Sequence, residues 1–163
     1  MQHTSEFELR VDFPAQASAG HPPSGPRLTV LVDGVDVIGD ATGQVGWSPG
    51  DILSADSPFL PSRPGDRIAI YRCACPAQGC PPQGCGVVAP MMRKIVGQLW
   101  WMDFRLYTGV FDGPRAMGDV PDVGERLPVP TLIFDDEQYR AEIARAIADT
   151  SWRDTDAAHR VSA

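Results

Sequence analysis

Only one of the 14 basic residues is a lysine, Lys94, and no cysteine occurs outside a single thirteen-residue stretch. No apolar run approaches the roughly 18 residues needed to span a bilayer, which argues against a transmembrane helix and a membrane partner. The glycine fingerprint of dinucleotide sites, the Walker A lysine and the His-Glu-x-x-His zinc motif are all missing, so no familiar motif names a reaction. Acidic residues outnumber basic ones 21 to 14, a net charge of −7 that repels phosphate backbones and disfavours a nucleic-acid partner. Residues 1–10 carry charges and no apolar signal-peptide core, which leads to the expectation of a cytoplasmic protein. His3, His21 and His159 fall in expected loops or tails without a neighbouring nucleophile, which disfavours a Cys–His hydrolase.

What is abundant is turn chemistry, with 16 glycines and 16 prolines in 163 residues. The length suits one domain, expected over residues 1–149, followed by a polar tail at 150–163. Phe7, Leu9, Val11 and Phe13 alternate with charged residues, the period of a half-buried strand. Leu28 to Val32 and Val35 to Ile38 flank Asp33-Gly34, a dipeptide suited to a two-residue hairpin turn. Residues 67–75 read as a further strand, and 87–96 with 98–107 as a hairpin turning at Gly97. Pro90 cannot donate to a ladder, so its strand must be an edge or bulge there. Residues 112–130 are Gly/Pro-rich and suit either a lid or a surface crossing. Asp135 caps a helix over about 136–149, with Gln138 at the capping-box position and Phe134 and Tyr139 at the staple positions. These elements predict an α+β fold: a mostly antiparallel sheet of about six strands, one C-terminal helix and long Gly/Pro-rich loops.

The strongest chemical signal is Cys73, Cys75, Cys80 and Cys85, within the loop 73–86. On a strand, Cys73 and Cys75 point to one side, and the Gly79-Cys80 and Gly84-Cys85 pairs offer turns that return two more thiols. Four thiolates suit zinc and would saturate it, leaving no position for a reacting water, so such a site is structural. The spacing C-x-C-x4-C-x4-C matches no standard finger or ribbon. Redox-switching thiols, disulfides or another soft metal remain open alternatives.

A second candidate is a polar-aromatic surface. Simple alternation puts Trp101, Asp103 and Arg105 on one strand face with Tyr107, and Trp100, Met102, Phe104 and Leu106 on the core face. The bland reading of Asp103 and Arg105 is a solvated ion pair; the functional one is a polar-aromatic binding surface. The acidic run at 135–137 is explained by capping alone.

Tyr71-x-Cys73-x-Cys75, Cys85-Gly86 with Val87-Val88, the Trp101-x-Asp-Phe104 segment and Phe134-Asp135-x-x-Gln138-Tyr139 together resemble a family of small uncharacterised bacterial proteins. The resemblance covers about residues 28–148 and implies a layout without implying a reaction. The chain departs from the family's pattern in a longer cysteine loop, which contains Pro81-Pro82 and an additional thiol.

The functional expectation is a non-catalytic cytoplasmic module that binds a protein or small-molecule ligand and carries a zinc-stabilised four-cysteine loop. The alternative is a thiol-based redox or metal-responsive protein using the same cysteines. An enzyme using the Trp101/Asp103/Arg105 face under the 112–130 segment is the third reading.

Overall fold

A computed structural model describes residues 3–13, 25–63, 65–73, 86–121 and 123–155. In chain order its elements are β1 (Phe7–Asp12), β2 (Arg27–Val32), α1 (Val37–Thr42), β3 (Val45–Gly46), α2 (Pro49–Ile52), β4 (Asp66–Arg67), β5 (Tyr71–Arg72), β6 (Gly86–Ile95), β7 (Gln98–Thr108), β8 (Glu125–Arg126), β9 (Leu132–Asp135) and α3 (Asp136–Ala148). The α+β class and the antiparallel sheet are as expected. Among the described residues, however, the strands form a seven-stranded sheet plus the β1-β2 pair, and two short helices precede the C-terminal one. A further helical turn occupies residues 151–155. No helix of the described residues is long and apolar enough to cross a membrane.

Two backbone hydrogen bonds join the sheets. The Ser5 N–H donates to the Ile133 carbonyl at 2.7 Å, beside a parallel bridge from Ser5 to Phe134, and the Leu28 N–H donates to the Trp47 carbonyl at 2.8 Å. The strands therefore form a closed circuit, β1-β2-β3-β5-β6-β7-β9 and back to the residue run that enters β1. Gly46 makes the β2–β3 approach possible, because a Cβ there would sit 1.9 Å from the Leu28 carbonyl oxygen.

The alternation in β1 holds, with Phe7 and Leu9 buried and Glu8 and Arg10 exposed. The Asp33-Gly34 turn also forms, both residues at positive φ (51° and 82°) and Val32 bridging Val35. The expected strand over 35–38 does not follow it. Asp36 accepts from the Gly39 N–H at 2.9 Å and from the buried Tyr71 hydroxyl at 2.8 Å, so Val37 and Ile38 begin α1 despite their β-branched side chains. Strand β2 pairs instead with β1, Phe7 opposite Val32 through Asp12 opposite Arg27.

Helix α3 begins where the sequence places it. Asp135 accepts from the Gln138 N–H at 2.9 Å, and Phe134 and Tyr139 are both buried with ring centroids 5.8 Å apart. The second half of the capping box is used elsewhere. The Gln138 side-chain amide donates to the Phe7 carbonyl at 2.7 Å and accepts the Phe7 N–H at 3.1 Å, while Glu142 and Arg145 take the Leu9 N–H and carbonyl, each at 2.9 Å. Side chains one, two and nearly three turns along α3 thus complete the outer edge of β1, which an uncovered edge strand would expose. Asp136 is buried and pairs with Arg140 one turn along the helix at 3.1 Å and with Lys94 at 2.9 Å.

The core collects Phe7, Trp101, Phe134 and Tyr139 with ring centroids 4.2 to 6.0 Å apart, mostly edge to face. Such pairs add about 0.5–1.5 kcal/mol beyond their area burial.

Candidate functional site

Pro90 organises the region that carries the most chemistry. It has no N–H to give, and both neighbouring strands spend an additional residue opposite it. On one side Arg67 pairs with Met91 and Tyr71 with Val88, four steps against three; on the other Met102 pairs with Met91 and Arg105 with Ala89, three steps against two. The expected strand over 67–75 is accordingly split into β4 and β5. The expected bulge at Pro90 is present: β7 places two residues, Asp103 and Phe104, opposite it, and Asp103 is held in the left-handed region at φ 50°.

That bulge inverts the alternation of β7. Residues directly paired across strands share a face, so the pairs Arg67–Met91, Met91–Met102, Ala89–Arg105 and Arg105–Arg126 set Arg67, Arg105 and Arg126 on one side of the sheet. Trp101 pairs with Met92 on the other side and is fully buried beside Phe7, Phe59, Phe134 and Tyr139. Of the expected surface, the structure brings together Asp103 and Arg105 and places Trp101 in the core. Phe104 is buried as expected, whereas Trp100, Met102 and Leu106 are only half-buried.

Arg67 fills the gap that Pro90 leaves. One guanidinium nitrogen donates to the Ala89 carbonyl at 3.0 Å and the Asp103 carbonyl at 2.8 Å, and the other to the Asp103 carboxylate at 2.5 Å. Its charged plane also lies 5.5 Å from the centre of the Tyr107 ring. The same carboxylate oxygen accepts from Arg105 Nε at 2.9 Å, and Arg105 reaches the Gly124 carbonyl at 3.2 Å. Gly124 must be small, since a Cβ would approach the Tyr107 ring to 2.7 Å. Arg126 Nε stands 3.8 Å from the other Asp103 oxygen, with its side chain 79% exposed. Burial alone would raise the Asp103 carboxyl, but hydrogen bonds from Arg67 and Arg105, reinforced by their charge, hold it below the usual carboxylate range.

Over this face lies a cleft of about 890 Å³. Its walls include Arg63, Arg67, Arg105, Arg115 and Arg126 against Asp66, Asp103 and Asp119, with Ile68, Met91 and Val120 as apolar surface. Residues 115–121, part of the segment expected as lid or crossing, supply one wall. They are anchored by an antiparallel bridge from Ile68 to Arg115 and by the Ala69 N–H donating to the Pro114 carbonyl at 2.8 Å. Sequence reading missed the other arginines because they come from three separate stretches, around 63–67, 115 and 126. The signal available was Pro90, whose bulge, carried onto the partner strand, breaks the alternation at Asp103.

Of the four cysteines, Cys73 is half-buried just beyond β5, where its N–H donates to the Gly86 carbonyl at 2.9 Å. Cys75, Cys80 and Cys85 lie outside the described residues. Among the described residues, no three Cys, His, Asp or Glu side chains gather as metal ligands.

No family model, curated protein or solved structure matches the chain. The geometry therefore carries the functional reading.

Proposed function

We propose that the protein is a non-catalytic binding module that takes a small organic anion in the cleft over Asp103 and Arg105. The observation that carries this reading is the gathering of five arginines against three aspartates in one cleft of a chain whose net charge is −7. A volume of about 890 Å³ lies within the range of about 300–1,000 Å³ typical of small-molecule sites, and the predominance of charged over apolar lining residues suits a charged ligand. Strain points the same way: a non-glycine residue at positive φ is kept where the surroundings over-determine it, and such residues cluster at ligand sites. Asp103 is poorly suited to acid–base catalysis, since hydrogen bonds and charge from Arg67 and Arg105 depress its proton affinity.

The four-cysteine loop enters this proposal as a zinc-stabilised appendage. The clustering of all four cysteines within thirteen residues supports that role, and the Cys73–Gly86 hydrogen bond ties together the described residues at the loop's two ends.

The reading is tested by thermal shift with matched ligands. Phenyl phosphate and benzoate are expected to raise the melting temperature, and benzylamine, of similar body and opposite charge, to leave it unchanged. Equal shifts with benzylamine, or none with any anion, overturn the reading.

A further inference from the structure

We infer that the anionic group taken by the cleft is a phosphate monoester on an apolar body; the inference rests on the anion-binding reading above. It follows from which charges in the cleft are already engaged. Arg67 and Arg105 are committed to Asp103 and to the carbonyls of Ala89, Asp103 and Gly124, so they form the rigid floor. Asp66 accepts from the Ser62 N–H and hydroxyl and from the Arg63 N–H, closing its own turn. The charges left unbalanced for a ligand are the guanidinium groups of Arg63, Arg115 and Arg126 and the carboxylate of Asp119, three positive against one negative; Arg115 spends one nitrogen on the Asp56 carbonyl at 3.1 Å, a neutral acceptor that leaves its charge in place.

A residual charge of +2 is matched by a dianion and only half matched by a monocarboxylate. A phosphate monoester is mostly dianionic at neutral pH, its second pKa being about 6, and presents three acceptor oxygens. The planar fork of arginine suits those oxygens. Arg126 is the central member of the set. Its register opposite Arg105 brings it over the floor, while its exposed side chain keeps only a 3.8 Å contact with Asp103 and can turn to a ligand at little cost. Buried Ile68 and half-buried Met91 and Val120 supply the surface for an apolar body beside the phosphate.

Isothermal titration of the full chain at about 50 mM salt, a concentration at which surface charges are only partly screened, decides between the possibilities. Phenyl phosphate is expected to bind at least tenfold more tightly than benzoate, phthalate or inorganic phosphate. The double variant Arg115→Ala/Arg126→Ala is expected to lose at least tenfold in affinity for phenyl phosphate with its melting temperature unchanged, both side chains being exposed. Phthalate binding as tightly as phenyl phosphate overturns the phosphate inference and leaves the anion cleft standing. Inorganic phosphate binding equally well removes the apolar body, and full affinity in the double variant removes the arginines from the site. Absence of binding by every anion defeats the underlying reading itself.

Discussion

Arg67 grips Asp103 twice, donating to its backbone carbonyl at 2.8 Å and to its carboxylate at 2.5 Å. The contact crosses the strand that Pro90 interrupts, so one arginine both repairs the ladder and anchors the residue whose bulge shapes the cleft floor. Asp103→Gly separates the two roles, because glycine accepts a φ of 50° and removes only the carboxylate. The Arg67 and Arg105 side chains, 7% and 10% exposed, then lose the carboxylate that balances their charge while keeping their carbonyl acceptors, and a loss of about 3 kcal/mol is expected. Formate at tens of millimolar should restore part of it, measured as the recovery of the melting temperature. A variant as stable as the parent and indifferent to formate contradicts the account.

Val96 stands at the tip of the β6–β7 hairpin with φ 25° and 98% exposure. A β-branched residue in that conformation is strained and here gains no burial in return. Val96→Asn creates the Asn-Gly dipeptide favoured by two-residue turns and should stabilise the protein by about 0.5–1 kcal/mol in urea unfolding. Unchanged or reduced stability shows that the turn is not under strain.

The pH dependence follows from three carboxyls. For Asp103, Asp136 and Glu142, burial works to raise the pKa, yet arginine hydrogen bonds, joined by Lys94 at Asp136, lower it below the ordinary value. The unfolded chain therefore binds more protons than the native one in acid. Their stabilisation is complete above the unfolded carboxyl range of about 4 and is lost as pH falls through the lower folded values. Melting temperature should be flat from about pH 7 to 5 and drop below about pH 4. A maximum near pH 3 would contradict these assignments.

The zinc proposal has its own readout. Protein purified without added metal should carry about one zinc per chain, and Cys80→Ser with Cys85→Ser should release it and lower the melting temperature. Metal-free protein with reversibly oxidisable thiols instead favours the redox alternative.

Local chemistry was legible where it was decided locally. The Asp135 cap, the Phe134–Tyr139 staple, the turn at Gly97 and the alternation of β1 all depend on neighbours in sequence. Trp101 was misplaced because the inversion of its strand is caused by a proline on the partner strand. Likewise, the turn at Asp33-Gly34 was legible, but the Tyr71 hydroxyl that helps fix Asp36 as a helix cap comes from 35 residues away. The cleft was half visible for the same reason: Asp103 and Arg105 lie two residues apart on one strand, whereas Arg63, Arg67, Arg115 and Arg126 meet them only through sheet register and the 115–121 wall.

The location of the anion site is the central claim, and a nuclear magnetic resonance titration of isotope-labelled protein with phenyl phosphate tests it most directly. Amide shifts should concentrate at residues 63–68, 103–105 and 115–126 and saturate together. Saturating shifts confined to the cavity between β1 and Trp152, or to the neighbours of Cys73, would place the ligand elsewhere and contradict the account.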